Sequence, residues 1–304
     1  MRARPKPVAK VGKRKAMQRT KHARPAVKTG NIHKPIIFKA PLVIGNWKLN
    51  PATQAQATSL ASAILKQSSF FLSTVRVGIT PSVLHVQKVV SLISGRAKAV
   101  SSTGLFCGVQ DVSVETSGAH TGAVSAIQAQ DIGVQYAIVG HSEVRAKGDT
   151  NAVVNKKILT ALSAGLAVVV CIGESARDEE GVHFSVIDQQ IDECFRNISP
   201  ADADRVCIAY EPVWAIGTGV SIAPTDLHEM ILYIRKRIAS AMWSRHLAHV
   251  PILYGGSVDP ANAGQIIETG EANGFLVGGS SLNADSFLTI IGAVKQFAAK
   301  AKRT

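Results

Sequence analysis

Five residues in this chain have the side chains and the spacing to move protons on a small molecule: Asn46, Lys48, His141, Glu211 and Ser257. Each stands at or just after a short apolar run, in Gly45-Asn46-Trp47-Lys48, Val139-Gly140-His141-Ser142-Glu143, Tyr210-Glu211-Pro212-Val213-Trp214-Ala215-Ile216-Gly217 and Tyr254-Gly255-Gly256-Ser257. A carboxylate can take a proton, a neutral imidazole can donate one to an oxygen, and an ammonium can stabilise the oxyanion that results. Glycine-rich turns add backbone N–H groups that cradle a phosphate. Together these parts suit proton shuttling on a small phosphorylated carbonyl compound.

A lone Glu at position 211 reads better as the structural ion-pair partner of an arginine. The residues after it decide otherwise: a rigid Pro212, an apolar tip at Ala215-Ile216 and glycines at 217 and 219 form the pattern of a hinged lid. Closing that lid is expected to place Ile216 over the carboxylate, expel water and raise its basicity. His141 precedes a helix-like segment, a position that disfavours the imidazolium. Lys48, flanked by Trp47 and Leu49, is expected to face inward. Two turns, Gly255-Gly256-Ser257 and Gly278-Gly279-Ser280, are each ordinary alone but together read as a phosphate cup after the last two strands.

Positioning these groups takes eight strands. Apolar runs occur at 42–46, 75–80, 105–109, 136–139, 167–172, 206–210, 251–254 and 274–277, with helix-like stretches such as 52–67, 153–164, 184–197 and 224–242 between them. Several runs, among them Ala167-Val168-Val169-Val170-Cys171-Ile172, are apolar throughout, as parallel strands covered on both faces require. Eight βα units predict an α/β fold, a single closed (β/α)₈ barrel over residues 40–304, with every motif above at its C-terminal face. An open doubly wound sheet lacks support, because no glycine fingerprint follows the first strand.

Residues 1–39 differ sharply. They hold thirteen of the thirty-four Lys and Arg and none of the twenty-one Asp and Glu, so the whole excess of thirteen positive charges lies there. With Pro5, Pro7, Pro25 and Pro35 and few large apolar residues, the segment reads as a disordered basic tail. Three roles fit it: an organellar transit peptide, an arm that contacts nucleic acid or another polyanion, or translation from an upstream start with Met17 as an internal alternative. No apolar run reaches membrane-spanning length, so no membrane is expected. Cys107, Cys171, Cys194 and Cys207 show no metal-ligand spacing and fit a reducing compartment, which points to the cytoplasm.

Over residues 40–304 the four stretches, in this order, resemble the triosephosphate isomerase family. The resemblance implies interconversion of dihydroxyacetone phosphate and glyceraldehyde 3-phosphate through an enediolate, in glycolysis and gluconeogenesis, by a homodimer using no metal or organic cofactor. It implies Glu211 as the base, His141 as the neutral electrophile, and Lys48 and Asn46 as electrostatic and hydrogen-bonding groups. Gly217, Ser257, Gly278 and Gly279 match phosphate-binding positions, Pro212–Val220 the lid, and Ser142, Glu143 and Cys171 supporting positions. Three departures stand out. Ala123 and Val144 occupy positions where the family carries a glutamate and an arginine that pair across the dimer interface, and Asp149 replaces a glutamate. Losing both partners leaves no unpaired charge, so an apolar contact is expected there. Two readings compete: a barrel without catalysis that binds nucleic acid through its tail, against which the intact Glu211, His141 and Lys48 weigh, and another phosphate-binding isomerase barrel, whose families lack the Asn46-Trp47-Lys48 and Tyr210–Trp214 stretches.

Overall fold

A computed structural model describes residues 36–39, 41–67, 74–95, 105–216, 221–241 and 244–301. Its eight strands are β1 Leu42–Asn46, β2 Arg76–Thr80, β3 Leu105–Val109, β4 Tyr136–Val139, β5 Ala167–Ile172, β6 Val206–Tyr210, β7 Ile252–Tyr254 and β8 Gly274–Val277. Each pairs in parallel with its sequence neighbours, and β8 closes on β1, so the expected barrel is present. Nine α-helical segments are described: α1 Gln54–Gln67, α2 Val83–Gly95, α3 Ala126–Asp131, α4 Ser142–Arg145, α5 Asn151–Ser163, α6 Val182–Cys194, α7 Pro224–Ser240, α8 Ala263–Gly270 and α9 Ala284–Ala301. None is long and apolar enough to cross a membrane.

Strand alternation divides the core in two. Leu42, Ile44, Tyr136, Ile138, Ala167, Val169, Cys171, Cys207 and Ala209 fill the barrel interior. Their neighbours Val43, Val77, Ala137, Val139, Val168, Val170 and Ile208 face outward and pack under the helices. Both sets are buried, which is why these strands read as unbroken apolar runs rather than alternating ones. All four cysteines are free and buried within these layers.

Strand ends fall within a residue of the apolar runs, whereas helix starts move with their caps. α5 begins at Asn151, two residues before the expected Val153, because the Thr150 hydroxyl accepts from the Val153 N–H at 3.3 Å. α6 begins at Val182 behind a left-handed Gly181, and ends at Cys194 before Asn197 turns to φ 62°.

One expectation needs correcting. Basic composition predicts a disordered tail as far as residue 39, yet Ile36 and Phe38 are 7% and 4% exposed and belong to the barrel-interior cluster. The packed chain therefore starts upstream of residue 40. The readings of residues 1–39 as transit peptide, polyanion arm or product of an upstream start fall mostly on residues 1–35, which lie outside the described residues.

Candidate active site

At the C-terminal end of the barrel a cavity of about 250 Å³ is lined by Asn46, Lys48, His141, Glu211, Ile216, Gly255, Gly256, Ser257, Gly278 and Gly279, among others. The expected catalytic and substrate-binding residues come from turns far apart in sequence, and all but Gly217 meet here. Gly217 lies outside the described residues.

Glu211 continues the inward alternation of Cys207 and Ala209 one step past β6 and is 1% exposed. Its Oε2 accepts the Ser142 backbone N–H at 3.0 Å. Its Oε1 is buried, lies 3.4 Å from His141 Nε2, and has no hydrogen-bond partner. A buried carboxylate oxygen left without a donor is costly, and in a cavity it is an acceptor held ready for a ligand proton.

The same alternation along β4 would turn His141 outward. Gly140, at φ 74°, breaks it and swings His141 into the cavity, a conformation glycine adopts without strain. His141 then caps α4: the Glu143 N–H donates to Nδ1 at 3.1 Å. That nitrogen is therefore an acceptor, and a neutral ring carries its proton on Nε2, the atom facing Glu211 and the cavity.

Lys48 occupies the left-handed region at φ 52°, which costs a side-chain-bearing residue about 1–2 kcal/mol. Three contacts hold it there. Asn46 Oδ1 accepts its N–H at 3.1 Å, Gln110 Nε2 donates to its carbonyl at 2.6 Å, and its ammonium meets Glu143 Oε1 at 2.6 Å. Burial alone would raise the Glu143 carboxyl, but the hydrogen-bonded Lys48 outweighs it and holds that carboxyl below its usual range. Cys171 sits at the inner end of β5. Burial first, then the Glu211 carboxylate, push its thiol well above the ordinary range, so it stays a neutral S–H beside the carboxylate.

Three supporting residues fall outside the set that the sequence motifs mark. Gln110 fixes the Lys48 turn and also donates to the Thr80 carbonyl at 3.2 Å. Arg145 donates to the carbonyls of Gly140 at 2.7 Å and Cys171 at 3.2 Å, locking the ends of β4 and β5 together. Glu174, fully buried, accepts from the Tyr210 hydroxyl and the Trp214 indole, both at 2.9 Å, and its carbonyl accepts the Val213 N–H at 2.9 Å. It thus anchors the segment after Glu211. A signal exists in each case, a polar side chain one or two residues beyond a strand, or in Arg145's case beyond a strand-end turn.

With this geometry in view, the comparisons with known proteins are decisive: a family model of triosephosphate isomerases matches residues 41–294. The chain belongs to the triosephosphate isomerase family. Among its relatives, the triosephosphate isomerase of Prosthecochloris aestuarii is 40% identical over 261 residues, covering 85% of this chain and 100% of that protein. That of Thermoanaerobacter pseudethanolicus is 38% identical, covering 84% and 99%, and that of Endomicrobium trichonymphae is 38% identical, covering 84% and 98%.

Proposed function

We propose that Glu211 is the base and His141 the electrophile of the reaction that family membership assigns to this chain, the interconversion of dihydroxyacetone phosphate and glyceraldehyde 3-phosphate. Glu211 takes a proton from the carbon beside the carbonyl, and the bonding pair moves onto the carbonyl oxygen to give an enediolate. The same carboxyl returns the proton to the neighbouring carbon. His141 donates from Nε2 to the oxygens as charge develops on them, and Lys48, held by Glu143, stabilises that charge as a positioned cation. Backbone N–H groups of the Ser257 turn and of Gly278 and Gly279 hold the phosphate, with Gly217 adding one from the lid. Ser142 parks the carboxylate, Glu143 orients Lys48, and Cys171 packs against Glu211.

The observation that carries this reading is the buried Oε1 of Glu211 facing His141 Nε2 across 3.4 Å in one cavity with Lys48. A coupled assay with glyceraldehyde 3-phosphate tests it. Turnover in the native chain and its loss in Glu211→Gln is the expected result; no turnover in the folded native chain overturns it.

The assembly we propose is a homodimer. Leu49, just beyond β1, and Val83 and Leu84, which open the helix after β2, are 90%, 53% and 82% exposed, apolar side chains that a partner subunit would cover. With Ala123 and Val144 in place of the family's ion pair, association should be insensitive to salt. Sedimentation from nanomolar to micromolar concentration tests both points: a monomer throughout overturns the dimer, and salt-driven dissociation overturns the apolar contact. A cytoplasmic location fits four buried free cysteines, and fractionation of cells checks it.

A further inference from the structure

The opposite mouth of the barrel holds a feature that lies upstream of the family match, which begins at residue 41. Residues 36–39 alternate as a strand would: Ile36 and Phe38 are buried, Ile37 is 43% exposed and Lys39 is exposed. The Phe38 ring lies 6.2 Å from those of Phe106 and Tyr136, inclined at 60° and 73°, within the edge-to-face range in which aromatic rings attract. Its backbone N–H donates to the Asp204 carbonyl at 2.9 Å. Asp204 stands just before β6, Tyr136 opens β4, and Phe106 is the second residue of β3, so this segment crosses the N-terminal end of the barrel.

The barrel interior needs something there. Tyr136 pairs in register with Gly108 on the adjacent strand β3, and its ring covers that glycine so closely that any Cβ there would overlap it. Its hydroxyl reaches Thr80 at the far end of β2, at 2.5 Å. With the ring committed upward, the space beneath it is filled by Phe38 and Ile36.

We propose that residues 36–39 are a plug that this chain adds to the barrel, and that any trimming of the basic segment which leaves a stable protein stops upstream of Ile36. The plug rests on packing alone and is independent of the catalytic assignments. The N-terminal face of such barrels governs stability, whereas the C-terminal face governs chemistry. The plug therefore bears on heat resistance and leaves turnover at room temperature untouched.

Limited trypsin digestion of the full chain, followed by mass spectrometry, tests the boundary. Trypsin cuts poorly before proline, so Lys34-Pro35 resists, and the nearest cleavable bonds flanking the plug are Lys28-Thr29 and Lys39-Ala40. A protease-resistant core that begins at Thr29 is expected; accumulation of a folded core that begins at Ala40 overturns the plug. Deletion of 1–35 should leave Tm within about 2 °C, whereas deletion of 1–39, or Phe38→Ala in the full chain, should lower it by roughly 5 °C or more. In both destabilised variants kcat at 25 °C should stay within about twofold. Should the 1–39 deletion fail to fold while the 1–35 deletion folds, the plug is supported. An unchanged Tm in Phe38→Ala overturns it.

Discussion

The two mouths of this barrel are built from opposite materials. At the C-terminal end the chain tolerates what stability disfavours: a lysine at φ 52°, a left-handed turn before a buried histidine, and a buried carboxylate oxygen without a donor. At the N-terminal end Ile36 and Phe38 meet Phe106 and Tyr136 in an apolar cluster, and the Arg76 guanidinium lies 5.4 Å over the Phe106 ring. Strain and unsatisfied polarity persist where surrounding structure over-determines them and chemistry uses them. Residues of one mouth should therefore alter rate with little effect on folding, and residues of the other the reverse.

The strongest attempt to break that division is Glu211→Gln. The amide is isosteric and can still accept the Ser142 N–H, but it cannot take a proton from carbon. We expect kcat to fall at least ~10³-fold with Tm unchanged or raised, because the replaced carboxylate is a buried charge. Retention of more than a tenth of native kcat would remove Glu211 from the base's role.

Lys48→Met comes next, with a loss of roughly 10²–10⁴-fold in kcat/KM, the range for removing a preorganised charge from a catalytic site. It also carries a titration signature. The Glu143 carboxyl, now held below its ordinary range by Lys48, should rise when the ammonium is gone, which NMR titration of a ¹³C-labelled carboxyl reads directly. Normal activity of the folded variant together with a sharp drop in Tm would make Lys48 a structural residue.

How much of this contrast is legible in the sequence differs between the mouths. The catalytic end is readable because its polar residues interrupt apolar runs at strand ends, so Asn46, His141 and Glu211 stand out against what precedes them. Gln110 and Glu174 obey the same rule but lack a distinctive neighbour such as the Pro212 beside Glu211, and their contacts at 2.6 and 2.9 Å exist only once strands are placed side by side. The plug is obscured by composition. Ile36-Ile37-Phe38 is a three-residue apolar run at the edge of a strongly basic segment, where charge dominates any average taken over the window. Whether such a short run packs depends on Phe106 and Tyr136, which lie far along the chain.

A third test asks whether the catalytic half also depends on buried charge for stability. Lys157 Nζ, on α5, contacts Asp111 beyond β3 at 2.6 Å and Asp149 beyond α4 at 2.7 Å, and its side chain is 9% exposed. Burial alone would lower the Lys157 ammonium, but its two aspartates outweigh that and raise it. The stability it contributes is therefore full below the ordinary lysine value and lost only as pH climbs through the raised one. Asp111 is pushed up, by burial first, against the pull of Lys157. Lys157→Met should cost about 3–5 kcal/mol at neutral pH by leaving two carboxylates without their cation. The deficit should shrink in urea unfolding at pH 4, because burial pushes the Asp111 carboxyl up and favours its protonation as pH falls. An equal deficit at both values would assign the loss to packing.

The smallest expected effect is the most discriminating, because Tyr136→Phe acts where the two mouths meet. Its ring rests on Phe38 and Phe106 below, while its hydroxyl bonds Thr80, which pairs in register with Asn46 above. Removing the hydroxyl leaves the fully buried Thr80 side chain without that partner, for a loss of roughly 1–2 kcal/mol. Burial raises the tyrosine hydroxyl well above its usual range, so it is neutral throughout, and the deficit should be the same in urea unfolding at pH 5 and pH 9. The ring itself stays, so the plug keeps its seat and kcat should remain within about threefold. A tenfold fall in kcat with native stability would mean that the Tyr136–Thr80 bond sets the Asn46–Lys48 turn, and that the two ends of the barrel do not vary independently.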